Sequence, residues 1–138
     1  MNEITSNLDT INSVVSAILE KLHEHTIIFL NGDLASGKTT LTQAIIKTLN
    51  SDENSVTSPT FSISQTYPNG IYHYDLYNKT LEEFISLGLF EQLETPKLHI
   101  IEWATPKLKE LVKEYGFYSI NVTITPFENL RIYRIENA

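Results

Sequence analysis

The feature that most constrains this chain is a glycine loop of fixed spacing in its first third. Four residues separate Gly32 from Gly37, and Lys38 and Thr39 come next, which is the phosphate-binding loop or Walker A pattern. Its glycines let successive N–H groups point at a phosphate, to which the following helix presents its positive end. The lysine reaches the β- and γ-phosphates, and the threonine hydroxyl is a Mg²⁺ ligand. The pattern predicts binding of ATP with Mg²⁺.

The residues around the loop have the pattern that this motif requires. Residues 26–30 form a short apolar run without alternation, which is typical of a strand buried on both faces of a parallel sheet. Residues 40–49 carry apolar side chains at helical spacing. Lys38 is expected to be an exposed loop charge with little role in packing. The predicted nucleotide contacts here are Gly32, Asp33, Leu34, Ala35, Ser36, Gly37, Lys38, Thr39 and Thr40.

The rest of the chain predicts further helices and strands on both sides of this unit. In chain order they are an amphipathic helix from Ile4 to Leu22, a hairpin of residues 61–67 and 71–77, helical residues 81–93 broken near Gly88, a buried strand at 98–101, a helix at 105–115 and a terminal hairpin of residues 118–125 and 130–135. We therefore expect one domain over residues 1–138. Its predicted fold is α/β, a P-loop NTPase-type three-layer fold whose mixed sheet has a parallel core and antiparallel hairpins.

Two carboxylates stand where strands are predicted to end. Asp75 closes the segment His73-Tyr74-Asp75, and Glu102 follows the buried strand. Ligands bind at the carboxyl ends of strands in such sheets, so both side chains can face the phosphates. We expect Glu102 and Asp75 to act with Lys38 in catalysis and to join Thr39 as Mg²⁺ ligands. A turn residue or a surface strand-end carboxylate is the alternative for each.

Three other features have two interpretations each. His73 is a base or phosphate contact, or a structural histidine. Trp103 contacts the nucleotide, or it is a core side chain, which the lone tryptophan of a small domain more often is. Residues 57–61, with Thr60 among them, form a loop whose hydroxyls contact Mg²⁺ or the γ-phosphate, or a simple turn before a strand. His23, His25 and His99 lack the spacing of metal ligands.

Composition excludes several functions. The chain has no cysteine, so disulfides and thiolate chemistry are absent, and its net charge of −7 argues against binding nucleic acid without partners. The sequence shows no basic region followed by an apolar run at its N-terminus and no stretch of 18 apolar residues, which predicts a cytoplasmic protein without a membrane segment.

The order of four motifs is similar to that of the bacterial TsaE family, also called YjeE. These motifs are the loop from Gly32 to Thr40, Ser58-Pro59-Thr60-Phe61, His73 to Tyr77, and Ile101-Glu102-Trp103. Two positions depart from the family pattern: Ala35-Ser36 stand where the family has Gly-Ala, and Asn78 stands where it has arginine.

The resemblance implies a small cytoplasmic ATPase that hydrolyses ATP weakly alone. It also implies that the chain acts with the TsaD and TsaB proteins in the threonylcarbamoyl adenosine modification of tRNA, and touches tRNA only indirectly or within that complex. Two other functions stay open from the residues. A small-molecule kinase is disfavoured because such enzymes bring lid arginines to the phosphates, and the only arginines are Arg131 and Arg134. The other is a nucleotide-responsive binding module with incidental turnover.

Overall fold

A computed structural model of the chain describes residues 2–7, 10–33, 36–50, 63–67 and 70–138. Its elements in chain order are β1 (Asn2–Ser6), α1 (Ile11–Leu19), β2 (Thr26–Asn31), α2 (Lys38–Asn50), β3 (Ser64–Tyr67), β4 (Ile71–Asp75), α3 (Leu81–Ser86), α4 (Leu89–Gln92), β5 (Leu98–Glu102), α5 (Pro106–Glu114), β6 (Ser119–Phe127) and β7 (Leu130–Asn137). The glycine loop therefore joins β2 to α2, as the sequence predicted.

These strands form one seven-stranded sheet in the order β1-β7-β6-β2-β5-β4-β3. The four central strands, β6, β2, β5 and β4, are parallel to one another. The outer pairs, β1 with β7, β7 with β6 and β3 with β4, are antiparallel. The predicted mixed sheet with a parallel core and antiparallel hairpins is confirmed, and it places the carboxyl ends of β2, β4 and β5 at one edge.

Helices cover both faces of the sheet because alternate residues of each strand point to opposite sides. On one face Ile28, Leu30 and Ile100 pack with the buried residues of α1 and α2. On the other face Phe29 and Ile101 pack with buried residues of α3, α4 and α5. The sheet thus lies between two layers of helices.

The shorter helices begin and end at residues suited to those positions. Thr80 caps α3 and forms a capping box with Glu83. Gly88 has a φ of 76° between α3 and α4, which confirms the predicted break there. Thr105 caps α5, and Pro106 occupies its first turn as expected. No helix in the described ranges is long and apolar enough to cross a membrane.

The predicted helix from Ile4 to Leu22 is wrong at both ends. Ile4 lies in β1, where it pairs with Tyr133 of β7, and the helix spans only Ile11–Leu19. Ile4 is also apolar at helical spacing from later residues, so the pattern alone could not separate it from the helix. Its true partners lie at the far end of the sequence, where no local pattern shows them.

Candidate functional site

Two glycines of the loop have structural reasons to be glycine. A Cβ at Gly32 would lie 2.5 Å from Ser36 Oγ and 2.9 Å from the carbonyl oxygen of Ile124, so no larger residue fits without movement. Gly37 has a φ of 106°, which side-chain-bearing residues rarely adopt. The fold of the loop therefore depends on both.

Lys38 is buried at the first position of α2, with 5% of its surface exposed, so the expectation of an exposed lysine is wrong. Its Nζ donates hydrogen bonds to the carbonyl oxygens of Gly32, at 2.7 Å, and Asp33, at 2.9 Å. Burial lowers the pKa of Lys38, while the charges of Glu102, Asp75 and Asp33 oppose that shift. The ammonium group thus faces the interior of the loop.

Thr39 and Thr40 follow in the first turn of α2, and both are partly buried. The next turn is tied to the first because Thr42 Oγ1 donates a hydrogen bond to the carbonyl oxygen of Lys38 at 3.0 Å. The role of Thr39 as a Mg²⁺ ligand and of Thr40 as a nucleotide contact stays a prediction.

Asp75 and Glu102 are the last residues of β4 and β5 and stand opposite each other in the parallel register. Side chains paired in this way point to the same face of the sheet, here the face of α2. Both carboxylates interact electrostatically with Lys38. In the part of the chain that the structure describes, no three acidic, histidine or cysteine side chains form a metal-binding group by themselves.

His73 is completely buried and contacts Glu102. Its Nε2 lies 2.5 Å from Oε2 of the glutamate, whose side chain is 4% exposed. His73 Nδ1 has no hydrogen-bond partner within the described ranges. His73 thus lies two residues before the end of β4, next to the carboxylate that ends β5.

Trp103 follows Glu102 with a φ of 62°, a backbone angle that is a clear outlier for a bulky residue. Its ring lies 4.2 Å from Lys38 Nζ and 5.0 Å from the ring of Tyr77. The side chain packs on the core of its face but is only partly buried. Strained residues of this kind cluster at functional sites.

A cavity of about 270 Å³ adjoins the loop on the side away from Glu102, toward β6 and β7. Arg131 crosses to the loop here, and its Nε donates a hydrogen bond to the carbonyl oxygen of Ser36 at 3.1 Å. The cavity is lined by Asn7, Ser36, Gly37, Thr40, Asn129, Arg131 and Tyr133.

Sequence reasoning missed this side of the site. The sequence has both arginines near the C-terminus, yet β7 places Arg131 against the loop, 95 residues from Ser36 in the chain. The only sequence signal was that the predicted terminal hairpin would join the same sheet.

The other histidines lie away from the loop. His99 is buried between Tyr74 and the backbone of Thr95, and His25 contacts the carbonyl oxygen of Leu93. His23 is exposed and stacks on Tyr118 with ring centroids 3.7 Å apart. These positions agree with structural or solvated roles.

Asn78 has a φ of 58° in the turn after β4, where the amide of Lys79 donates a hydrogen bond to the carbonyl oxygen of Leu76. Asparagine adopts this left-handed conformation more readily than arginine does. Asparagine at this position therefore suits the local backbone. The predicted contacts Leu34, Ala35 and Thr60, with the whole loop of residues 57–61, lie outside the described residues.

Comparisons with known proteins agree on one family. The family model described as "Threonylcarbamoyl adenosine biosynthesis protein TsaE" matches residues 5–131. A relative from Rickettsia felis is 38% identical over 105 residues, which cover 73% of this chain and 61% of the relative. One from Haemophilus influenzae is 38% identical over 93 residues, which cover 63% of this chain and 58% of the relative. Both are named "tRNA threonylcarbamoyladenosine biosynthesis protein TsaE". The chain thus spans about three fifths of the length of these two relatives.

Proposed function

This chain belongs to the TsaE family, and we propose that it binds ATP with Mg²⁺ and hydrolyses it in support of the threonylcarbamoyl adenosine modification of tRNA, together with the TsaD and TsaB proteins. The observation that carries the proposal is the position of Lys38. Its buried ammonium group lies inside the glycine loop and within electrostatic reach of two carboxylates that end the adjacent strands.

Phosphate binding follows from the loop and the helix behind it. The backbone N–H groups of Gly37 and of the first residues of α2 have no earlier carbonyl in the helix to which they could donate a hydrogen bond. These groups and the helix dipole favour an anion at that end, and Lys38 adds a full positive charge. A triphosphate therefore meets both directional donors and positive charge here, whereas a neutral ligand would make no use of the charge of the ammonium group.

The oxygen atoms present suit Mg²⁺. This ion takes one or two carboxylates, and nucleotide phosphates and water complete its shell, so a full protein cage is not needed. Thr39, Asp75 and Glu102 would hold it at the edge where β4 and β5 end beside α2. When bound, Mg²⁺ neutralises charge on the phosphate oxygens.

For hydrolysis, Glu102 is the residue that we assign to the attacking water. Its carboxylate accepts a proton while the water oxygen bonds to the γ-phosphorus, and the bond from that phosphorus to the β–γ bridging oxygen breaks. The products are ADP and inorganic phosphate, and the proton returns to solvent. Lys38 stabilises the charge on the transferred group, as lysines of such loops do.

The cavity toward β7 is where we place the base and ribose. A nucleotide whose phosphates lie in the loop must extend to one side, and Glu102 occupies the other. Thr40 and Arg131 line the cavity, and both offer polar groups within a space of about 270 Å³. Small-molecule sites typically carry a few convergent polar groups of this kind.

The test is ATP turnover by the purified chain mixed with TsaB and TsaD, with Glu102→Gln as the variant. Removing the charge but keeping the shape is expected to leave ATP binding at saturating Mg²⁺ nearly unchanged and to lower turnover by about 10²–10⁴-fold. Glu110→Gln, an exposed carboxylate on α5, is the matched control and should behave as the original chain. No turnover and no tRNA modification by the unaltered chain in this mixture would refute the proposed function.

A further inference from the structure

His73 is buried next to Glu102, the proposed catalytic carboxylate, and takes no direct part in the hydrolysis proposed above. His73 and Asp75 lie on the same face of β4, and Glu102 ends the neighbouring strand on that face. Two residues along a strand span about 6.7 Å, so His73 lies one such step behind the edge where Asp75 stands. His73 therefore lies farther from the carboxyl edge of the sheet than the two carboxylates do.

The contact joins one particular pair of atoms. His73 Nε2 meets Oε2 of Glu102 at 2.5 Å, and both side chains are removed from water. Glutamate has several rotamers, and a buried donor that meets one oxygen selects among them. The other oxygen, Oε1, is then the atom that can act on a water molecule or metal ion at the edge.

The hydrogen-bond pattern also assigns the protons. His73 Nδ1 meets no acceptor among the residues that the structure describes, so a proton there would be a buried donor left unpaired. We therefore assign Nε2 as the donor of the hydrogen bond to Oε2 of Glu102. The ammonium group of Lys38 interacts favourably with that carboxylate.

We propose that His73 is a positioning residue that holds Oε2 of Glu102 and so directs the second oxygen toward the phosphates. The inference rests on the proposed function, since it assigns a residue to the same site. His73 itself touches neither nucleotide nor water in this assignment. Partners of this kind typically change metal affinity or activity by 10–100-fold when they are lost.

The first measurement compares two substitutions at one position. His73→Leu introduces an apolar side chain of similar bulk and removes the donor, whereas His73→Gln keeps an N–H group near Nε2. At saturating Mg²⁺, with TsaB and TsaD present, titration with ATP is expected to give a kcat about 10–100-fold lower for His73→Leu with little change in KM. His73→Gln should recover most of that loss. Equal losses in both variants would contradict a hydrogen-bonding role.

A double-mutant cycle separates positioning from damage to the fold. If His73 acts through Glu102, adding His73→Leu to Glu102→Gln should change turnover by less than about 3-fold, because the carboxylate it serves is already gone. A full additional loss would mean that His73 acts elsewhere. His99→Leu, which removes a buried histidine from the other face of the sheet, is the control and should lower stability without lowering kcat.

A binding measurement distinguishes failure of this inference from failure of the proposed function. The Mg²⁺ concentration that supports tight binding of a fluorescent ATP analogue should rise about 10-fold or more in His73→Leu, while binding in EDTA stays the same. This readout does not need turnover. Unaltered Mg²⁺ dependence in folded His73→Leu would overturn the positioning role even if the unaltered chain hydrolyses ATP.

Discussion

The buried state of His99 predicts a specific loss of stability in mild acid. Its Nε2 donates a hydrogen bond to the carbonyl oxygen of Thr95 at 2.8 Å, and Nδ1 accepts one from the hydroxyl of Tyr74 at 2.8 Å. The ring of Tyr72 stacks on it with centroids 4.8 Å apart. With both nitrogens used in this way the ring is neutral, and burial lowers the pKa of His99 to about 4.

The size of the effect follows from the difference between folded and unfolded chains. The pKa of His99 is 6.5 when unfolded and about 4 when folded, a difference worth about 3 kcal/mol in total. Between these values the unfolded chain binds the proton and the folded chain does not, so stability falls as pH falls from 6.5 toward 4. From pH 7 to pH 5 the loss from this one residue is about 2 kcal/mol.

Urea unfolding of the original chain and of His99→Gln, at pH 7 and pH 5, measures this contribution. All other ionisable groups are the same in both proteins, so the difference between the two pH dependences isolates His99. The variant should lose about 2 kcal/mol less than the original chain over this range. Equal losses, or a ring proton of His99 that titrates near pH 6.5 by NMR, would refute the assignment of a buried neutral ring.

Two further predictions concern the loop. Lys38→Ala is expected to weaken binding of a fluorescent ATP analogue by at least 10-fold, because a charge-assisted contact is lost. It should also lower stability against urea, because this lysine is buried. Unchanged affinity would remove Lys38 from the site. Gly32→Ala should lower stability by about 1–3 kcal/mol and reduce affinity, since its Cβ collides with Ser36, whereas Gly116→Ala meets nothing within 4 Å and should affect affinity little. Equal affinity in both glycine variants would contradict the crowding argument.

The sequence predicted best those parts of the fold that depend on neighbouring residues. The strand, loop and helix around Gly37 are set by local periodicity and glycine spacing, and so is the break at Gly88. The same holds for Pro106 in the first turn of α5. The β1 strand was missed because Ile4 also fits a helical period, and what places it in the sheet is pairing with β7.

The residues of the candidate site also differ in whether the sequence could locate them. Asp75 and Glu102 could be located from the sequence because each ends its own strand, and parallel strands bring such ends to one edge. Arg131 could not, because its contact with Ser36 depends on the order of strands in the sheet. The contact between His73 and Glu102 needed the register of β4 against β5, which spacing alone does not fix.

The burial of Lys38 bears directly on how tightly a nucleotide can bind. A lysine in water must lose hydration and side-chain freedom before it contacts a phosphate, and both losses weaken binding. Here the fold already holds the ammonium group on two backbone carbonyls, beside the ring of Trp103. In the proposed binding of ATP, the ammonium group would exchange these neutral acceptors for charged phosphate oxygens, whose hydrogen bonds are roughly twice as strong. Because Trp103 directly follows Glu102, any shift of the ammonium group toward phosphate also changes the contacts of the strained residue beside the proposed base.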